Sequence, residues 1–194
     1  RYINLSFNYF CNFYRIIVYR FMIRKFVTAA LVVLAMTPLA ACSDNDDDNL
    51  SPDAELKQAL STKYPAMKVT GWEKVKSWSV AEGRIDGIDA DVWFDVSNQW
   101  VMTEYDYGRD IARLPQPVAN AIAGGDFRDW TVDDIDYYER RSESFYRVEM
   151  ETPGQPDVYL LYMPDGALRG TTAVDTDVYP DFVLPQPILP PAGN

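Results

Sequence analysis

Apolar and polar residues alternate along most of the chain after residue 65. This alternation predicts a mainly β protein. The stretch just before it has helical rather than alternating spacing. Ser51-Pro52-Asp53 offers a side-chain cap and an early proline, and Pro65 ends the helix because the residue before a proline is pushed out of α geometry. The apolar stripe of this first predicted helix comprises Leu56, Ala59, Leu60 and Tyr64.

The alternation after this helix divides into four segments separated by turn residues. Asp86-Gly87 and Ser97-Asn98-Gln99 are typical of turns that connect antiparallel strands. The sequence therefore predicts a four-stranded meander. Its predicted strands are Val69–Ser77, Ser79–Ile85, Ala90–Val96 and Trp100–Tyr107.

The same order of elements recurs in the second half of the chain. Leu114-Pro115-Gln116-Pro117 opens a second short helix, which Gly124-Gly125 ends. Pro164-Asp165-Gly166 predicts a tight turn with the glycine in the left-handed region. The predicted strands are Trp130–Arg140, Phe145–Glu151, Asp157–Met163 and Ala167–Thr172.

These patterns predict an α+β fold built from two tandem units, each one helix followed by a four-stranded antiparallel meander. The first unit is expected at residues 51–110 and the second at 111–175. A proline-rich tail, 176–194, follows and is expected to be an extended tail or an edge strand.

The residues before the first helix predict an export signal. Met22-Ile23-Arg24-Lys25 is basic, and Phe26–Met36 is apolar but too short to span a bilayer. Leu39-Ala40-Ala41-Cys42 then resembles the bacterial lipobox, which implies a signal peptide over 22–41 and lipidation of Cys42. The alternative is a secretory peptide with an incidental cysteine.

The flanking segments refine this address. Residues 1–21 begin without methionine and lack a period, so we interpret them as an upstream translation artefact. Residues 42–50 form an acidic tether, and Ser43–Asn49 resembles the signal that sends some lipoproteins to the cell surface. We therefore expect an outer-membrane lipoprotein, either surface-exposed or periplasm-facing.

Composition narrows the functional classes. The net charge is −11 and there is no histidine, so nucleic acid is not an expected partner and His-based triads or zinc sites are excluded. We expect no cofactor and no metal site. The acids at Asp44, Asp46 and Asp48 imitate part of a calcium loop, but Asn49 stands where that loop needs glycine. Without histidine, we also expect little change in stability between pH 6 and 8.

Several motifs together resemble a known family. Trp72 lies in the first predicted strand, Val92-Trp93-Phe94-Asp95 in the third, and Ser97-Asn98-Gln99-Trp100 forms the next turn. With the lipobox and the acidic tether, they resemble the PepSY-like, β-lactamase-inhibitor-protein-like bacterial lipoproteins. The resemblance implies a non-enzymatic module of the cell envelope. It implies no catalytic residues.

Strand alternation predicts a candidate binding face. Val92, Phe94 and Val96 should pack under the first helix, so Asp91, Trp93 and Asp95 should lie on the open face. The equivalent alternation in the second half places Leu160 and Tyr162 on the same open face. The alternative is that the two predicted sheets, or the tail from Tyr179, cover this face within the molecule.

The sequence thus favours a lipid-anchored, non-enzymatic envelope module whose partner is an unidentified envelope protein or peptide, a peptidase for example. It would meet the membrane through its lipid anchor only. Two alternatives remain. One is a carboxylate-dependent envelope hydrolase, which a carboxyl pair with a raised pKa would favour. The other is a purely structural lipoprotein.

Overall fold

The computed structural model of the protein describes residues 50–186. The predicted upstream segment, the signal peptide, Cys42 and nearly all of the tether lie outside the described residues. The first helix, α1, spans Ala54–Lys63 and the second, α2, spans Gln116–Gly124; a single 3₁₀ turn, Ile111–Arg113, precedes α2. The strands are β1 Lys68–Val75, β2 Trp78–Ile85, β3 Ile88–Phe94, β4 Trp100–Asp106, β5 Thr131–Arg140, β6 Ser144–Glu151, β7 Val158–Tyr162 and β8 Leu168–Thr172.

All eight strands form one antiparallel sheet in sequence order, β1 to β8. Short turns connect the hairpins where the sequence predicts them. Asp86 and Gly87 both have positive φ, which suits the two-residue turn between β2 and β3. Gly166 has a φ of 86°, so the predicted left-handed glycine between β7 and β8 is confirmed.

Helix α1 begins at Ala54, directly after the predicted start motif, so Asp53 rather than Ser51 is the cap and Pro52 precedes the helix. The Asp53 side chain accepts a hydrogen bond from the Leu56 amide at 2.7 Å, which satisfies one of the free donors of the first turn. Leu56 and Leu60 are buried against the inner residues of β2 and β3. This first core cluster comprises Leu56, Leu60, Ala81, Val92 and Phe94.

Helix α2 covers the other half of the sheet in the same way. Val118 is completely buried, and a proline near the first turn fits the start of the helix. The buried residues of this second cluster are Leu114, Val118, Val132, Ile135, Tyr146, Val148, Met150, Leu160 and Tyr162.

Both helices lie on one face of the sheet. Tyr105 in β4 stands opposite Tyr137 in β5, and their rings stack at 5.8 Å. The Tyr105 hydroxyl reaches the hydroxyl of Tyr64, next to α1, while Tyr137 stacks on Tyr146 in the α2 cluster. A continuous row of tyrosines therefore joins the two helix-covered clusters, and the opposite face is covered by neither helix.

The α+β prediction is confirmed as two helices on a single antiparallel sheet. The bounds of the predicted strands agree with the structure to within two residues. Because β4 and β5 hydrogen bond directly, the two predicted meanders are continuous in one sheet. The interpretation as two tandem units stays a prediction.

Candidate functional site

The face without helices divides into an apolar part and an acidic part. We call the apolar part the aromatic floor: Val80, Trp93, Met102, Tyr138, Phe145 and Leu161. Cross-strand register explains the grouping, because Val80 pairs with Trp93 and Trp93 pairs with Met102. These residues would expose a large apolar patch if nothing covered them.

The chain after β8 covers the aromatic floor. We call residues 173–186 the covering segment; it contains no strand. Its buried side chains are Val178 and Leu184, and Phe182 stacks on Phe145 at 6.1 Å. The Phe182 amide donates to the Tyr179 carbonyl at 2.9 Å, a turn with Pro180 in the position that proline favours. The segment therefore crosses the sheet, turns and comes back.

Tyr179, at this turn, occupies an aromatic slot. Its ring stacks on Trp78 at 5.9 Å and meets Trp93 edge-on at 6.1 Å. The Lys76 ammonium lies 3.5 Å from the centre of the Tyr179 ring. The slot thus holds one aromatic side chain between two indoles and a cation.

Three arginines of the sheet bind backbone carbonyls of the covering segment. Arg140 Nη1 donates to Phe182 O at 2.5 Å, Arg147 Nη1 to Thr176 O at 3.1 Å, and Arg169 Nε to Pro185 O at 3.3 Å. Arg147 is also paired with a carboxylate of the segment, since its Nη2 lies 2.7 Å from Asp175 Oδ1. Side chains, rather than sheet hydrogen bonds, hold these described residues in place.

The cover leaves some buried donors unsatisfied. Trp93 Nε1 and both Arg140 Nε and Nη2 are buried without a hydrogen-bond partner. Each such donor costs about 1–3 kcal/mol relative to a satisfied one. Burial also lowers the pKa of the Arg140 guanidinium. The covering segment therefore excludes water here without replacing its hydrogen bonds.

A small cavity of about 230 Å³ lies between the covering segment and the β6–β8 edge. Its walls are mostly apolar and hydroxyl-bearing, and Arg147 is its one charged lining residue among those the structure describes. The Arg147 guanidinium lies over the Tyr159 ring at 4.6 Å. Arg147 is already paired with the covering segment. We therefore interpret the cavity as part of the contact between this segment and the sheet, and not as a separate ligand site.

The acidic part of the face lies beside the floor, farther along the same strands. Five consecutive strands, β2 to β6, each place at least one carboxylate here, and cross-strand pairs such as Glu82–Asp91 and Asp91–Glu104 bring them side by side. We call this set the acidic patch: Glu82, Asp91, Glu104, Asp106, Asp134, Asp136 and Glu149.

Asp136 is the buried member of the acidic patch, with 7% of its surface exposed. Burial, and then the nearby Glu104 and Asp134 carboxylates, raise the pKa of Asp136 well above its ordinary value, although Arg147 opposes them. The Tyr138 hydroxyl lies 3.0 Å from Glu104 Oε1 and 3.4 Å from Asp136 Oδ2. Burial and the neighbouring carboxylates therefore favour the protonated form of Asp136 more than water would, against the opposing charge of Arg147.

Three members of the patch could also offer oxygen atoms to a cation. One carboxylate oxygen from each of Asp106, Asp134 and Asp136 lies within 4.8 Å of the others. Three ligands are fewer than the six to eight that Ca²⁺ takes in all. The expectation of no metal and no cofactor stays a prediction.

The structure separates the sequence-predicted site residues. Asp91 and Trp93 do lie on the face without helices, but Trp93 is only 6% exposed because the covering segment packs over it. The prediction that Trp93 lies on an open aromatic face is therefore wrong. The alternative, that the tail covers this face, is confirmed.

The predicted third strand continues too far, because β3 ends at Phe94. Val96 is 78% exposed rather than packed under α1, and Asp95 lies in the turn, where its Oδ1 accepts hydrogen bonds from the amides of Ser97 and Gln99 at 2.8 and 3.0 Å.

Leu160 and Tyr162 lie on the opposite face from Trp93, so their predicted placement is wrong. They belong to the core cluster under α2 and are 1% and 3% exposed. Their register fixes this side, since Leu160 pairs with Val148 and Tyr162 with Tyr146. Tyr159 and Leu161 are the residues of β7 that face the covering segment.

The sequence interpretation missed most of the acidic patch and the arginines beneath the covering segment. A signal existed in β5 and β6, where Asp134 and Asp136 alternate in one strand and Arg147 and Glu149 in the next, so each pair lies on one face. A charged residue at a buried strand position is costly unless it is paired, so such residues indicate a structural ion pair or a functional site. The pairing of β5 with β6 was needed to see that they converge.

No helix within residues 50–186 is long and apolar enough to cross a membrane.

Solved structures of several Bacteroides proteins resemble this one. A BLIP-like protein from Bacteroides fragilis is 28% identical with a TM-score of 0.63, covering 70% of this chain and 97% of that one. A DUF2874 family protein from Bacteroides uniformis is 26% identical with a TM-score of 0.58, covering 63% and 89%. A Bacteroides eggerthii protein, described provisionally as periplasmic, is 23% identical with a TM-score of 0.58, covering 63% and 88%.

No family model matches the chain, and no curated protein matches it. The structural neighbours support a BLIP-like α+β fold. None of their descriptions names a PepSY-like lipoprotein family, so that part of the resemblance stays a prediction.

Proposed function

We propose that the protein is a non-enzymatic binding module of the cell envelope that takes a Lys- or Arg-bearing segment of an envelope protein on its acidic patch. One observation carries the proposal: five neighbouring strands each direct carboxylates to one face, beside the part that the covering segment occupies. A sheet holds such charges at fixed spacing, which favours electrostatic complementarity and rapid association.

The surface differs from the one that the sequence suggested. The covering segment buries Trp93, so we assign binding to the acidic patch instead of an aromatic anchor. Of the binding-face residues predicted from the sequence, Asp91 is the one that belongs to this patch. The name of the Bacteroides fragilis neighbour supports an inhibitor-like role, with an envelope peptidase as the target class.

The cellular location of the protein is part of the same proposal. We place the protein at the outer membrane, lipid-anchored through Cys42, with its two helix-plus-meander halves as tandem units on one sheet. The lipobox pattern and a neighbour described as provisionally periplasmic support this address. Cys42→Ala should abolish palmitate labelling and detergent-phase partitioning. Unchanged labelling would contradict the anchor.

The binding test uses immobilised chain from Cys42 onward and envelope extract. The double variant Asp91→Lys with Glu104→Lys should lose its captured partner, and capture by the unchanged protein should weaken at least tenfold as salt rises from low to high. A matched control is Glu55→Lys with Asp129→Lys, which makes the same charge change on exposed residues away from the patch. Equal capture by both double variants would overturn the proposal.

A second candidate function, a carboxylate hydrolase, has one observation in its favour. Glu104 and Asp136 flank the Tyr138 hydroxyl, and Asp136 has a raised pKa, as a catalytic acid requires. Envelope glycan fragments and peptides would be incubated with the protein and with Asp136→Asn. Turnover that the variant loses would favour the enzyme; absence of turnover by the unchanged protein would reject it.

A further inference from the structure

The covering segment is bound to the sheet as a peptide ligand is bound to a receptor. Its ring at Tyr179 enters an aromatic slot, and its carbonyls are held by Arg140, Arg147 and Arg169. Among residues 173–186, the backbone-to-backbone hydrogen bond is the internal one from Phe182 to Tyr179. A segment held by side chains alone can leave without breaking a sheet ladder.

The aromatic floor and its surroundings also have hydrogen-bond donors that the covering segment does not use. Arg140 Nε and Nη2, together with Trp93 Nε1, are buried donors without partners. The Arg140 side chain is 9% exposed and lies over Phe145 and beside Phe182. A carboxylate in place of the Phe182 ring would meet a guanidinium that can form two parallel hydrogen bonds.

The charges around the floor favour the same occupant. Lys76, Arg140, Arg147 and Arg169 all lie beneath or beside the covering segment. Arg147 is already paired with Asp175, and Arg140 Nη1 lies 3.8 Å from Glu143 Oε1, so the unused basic capacity is the Nε–Nη2 edge of Arg140. An aromatic and acidic segment complements it, whereas the acidic patch nearby complements a basic one.

We propose that the aromatic floor is a second docking groove, where an extended protein segment bearing an aromatic residue and, three residues later, a carboxylate replaces the covering segment. The aromatic ring takes the place of Tyr179 between Trp78 and Trp93, and the carboxylate pairs with Arg140. This inference goes beyond the proposed function, since it adds a groove and a ligand class that the acidic patch does not serve.

The test measures binding of a fluorescent peptide with the sequence of residues 174–186 to the mature chain carrying Tyr179→Ala. This variant weakens the internal competitor and leaves the slot intact. Tyr179→Phe is the matched control, because its ring still fills the slot. We expect the peptide to bind the alanine variant about fivefold more tightly than the phenylalanine variant, which corresponds to weakening the internal competitor by about 1 kcal/mol. Phe182→Ala serves as a second loosened host if the first unfolds.

Two altered peptides probe the two parts of the ligand. A peptide with Tyr179→Ala should lose about fivefold in affinity. A peptide with Phe182→Glu should gain several-fold, because its carboxylate reaches Arg140. Absence of saturable binding to either loosened host would overturn the groove. Equal affinity of the Tyr179→Ala peptide would overturn it as well.

This experiment is independent of the one for the acidic patch. The loosened host with Asp91→Lys added should bind the peptide as well as the host without it. If peptides fail to bind while capture still depends on the patch, the groove is wrong and the proposed function stands. If the peptides bind but capture of the partner is the same for the patch variant and its control, the groove is supported and the proposed function is wrong.

Discussion

The two faces of the sheet are both covered, but by different kinds of structure. On one face, α1 and α2 satisfy most of their own backbone hydrogen bonds and bury Phe94 and Val118 completely. On the other, the covering segment has a single internal turn and leaves Arg140 and Trp93 with unsatisfied donors. The difference suggests that the helix-covered face is required for folding, while the segment-covered face is available for exchange.

The largest effect is expected on the helix-covered face. Phe94→Ala removes a fully buried ring that contacts Trp72 at 6.5 Å between centroids, and should lower the free energy of unfolding by about 3–5 kcal/mol. Urea denaturation followed by circular dichroism measures this change. A loss below about 1 kcal/mol would mean that the face under α1 is loosely packed, and the comparison of faces would fail.

A turn that contacts α2 gives the next effect. Gly166→Val combines a φ of 86° with a Cβ only 2.6 Å from the Pro117 carbonyl oxygen, so we expect a loss of about 2–3 kcal/mol. Gly87→Val is a matched control, because its φ is 83° but no atom lies within 4 Å of the new Cβ. The control should lose only about 1–2 kcal/mol. Equal losses would show that the β7–β8 turn does not press on α2.

Sequence patterns predicted the two helices, the eight strands and most turns because the determining interactions are local. Asp86-Gly87 can form a two-residue turn wherever it occurs, and Val92 and Phe94 alternate cleanly with Trp93. The same reasoning failed for strand β7, whose residues were assigned to the wrong faces. All four residues from Tyr159 to Tyr162 are buried, since α2 covers one side and the covering segment the other, so alternation in polarity was absent.

The site was less predictable because it depends on contacts between distant parts of the chain. The prolines of the tail indicated an extended segment, but its path is set by Arg140 and Arg147, which are remote in sequence. Likewise, Glu82 and Glu104 become neighbours of Asp91 only once the strand register is known. Charge counts alone revealed an acidic protein but not a patch.

A titration should distinguish the acidic patch from the rest of the sheet. The folded pKa of Asp136 is raised by burial and by Glu104 and Asp134, while Arg147 opposes the shift and Asp106 adds to it. A carboxyl with a raised folded pKa binds its proton more tightly when folded, so its contribution to stability is full below the unfolded pKa near 4 and is lost as pH rises through the folded pKa. The expectation of little pH dependence assumed unperturbed carboxylates, and Asp136 is the carboxyl that tests this assumption.

Asp136→Asn removes this titration. The melting temperature of the variant minus that of the unchanged protein should increase as pH rises from 4 to 8. Asp129→Asn, which makes the same change at an exposed position, is the matched control. A flat difference for Asp136→Asn would mean that its pKa is ordinary, and would remove the observation that favours a hydrolase.

The smallest effect is expected on the segment-covered face. Tyr179→Ala removes one stacked and one edge-on contact, with Trp78 and Trp93, and a cation above the ring. Aromatic pairs contribute about 0.5–1.5 kcal/mol, and Tyr179 is only half-buried, so the loss of unfolding free energy should be near 1 kcal/mol. Tyr179→Phe should be nearly neutral. Tryptophan fluorescence should nevertheless change clearly in the alanine variant, because the two indoles of the slot gain contact with water. A loss as large as that of Phe94→Ala would show that the covering segment is as integral to folding as the helices, and no exchangeable groove could then exist beneath it.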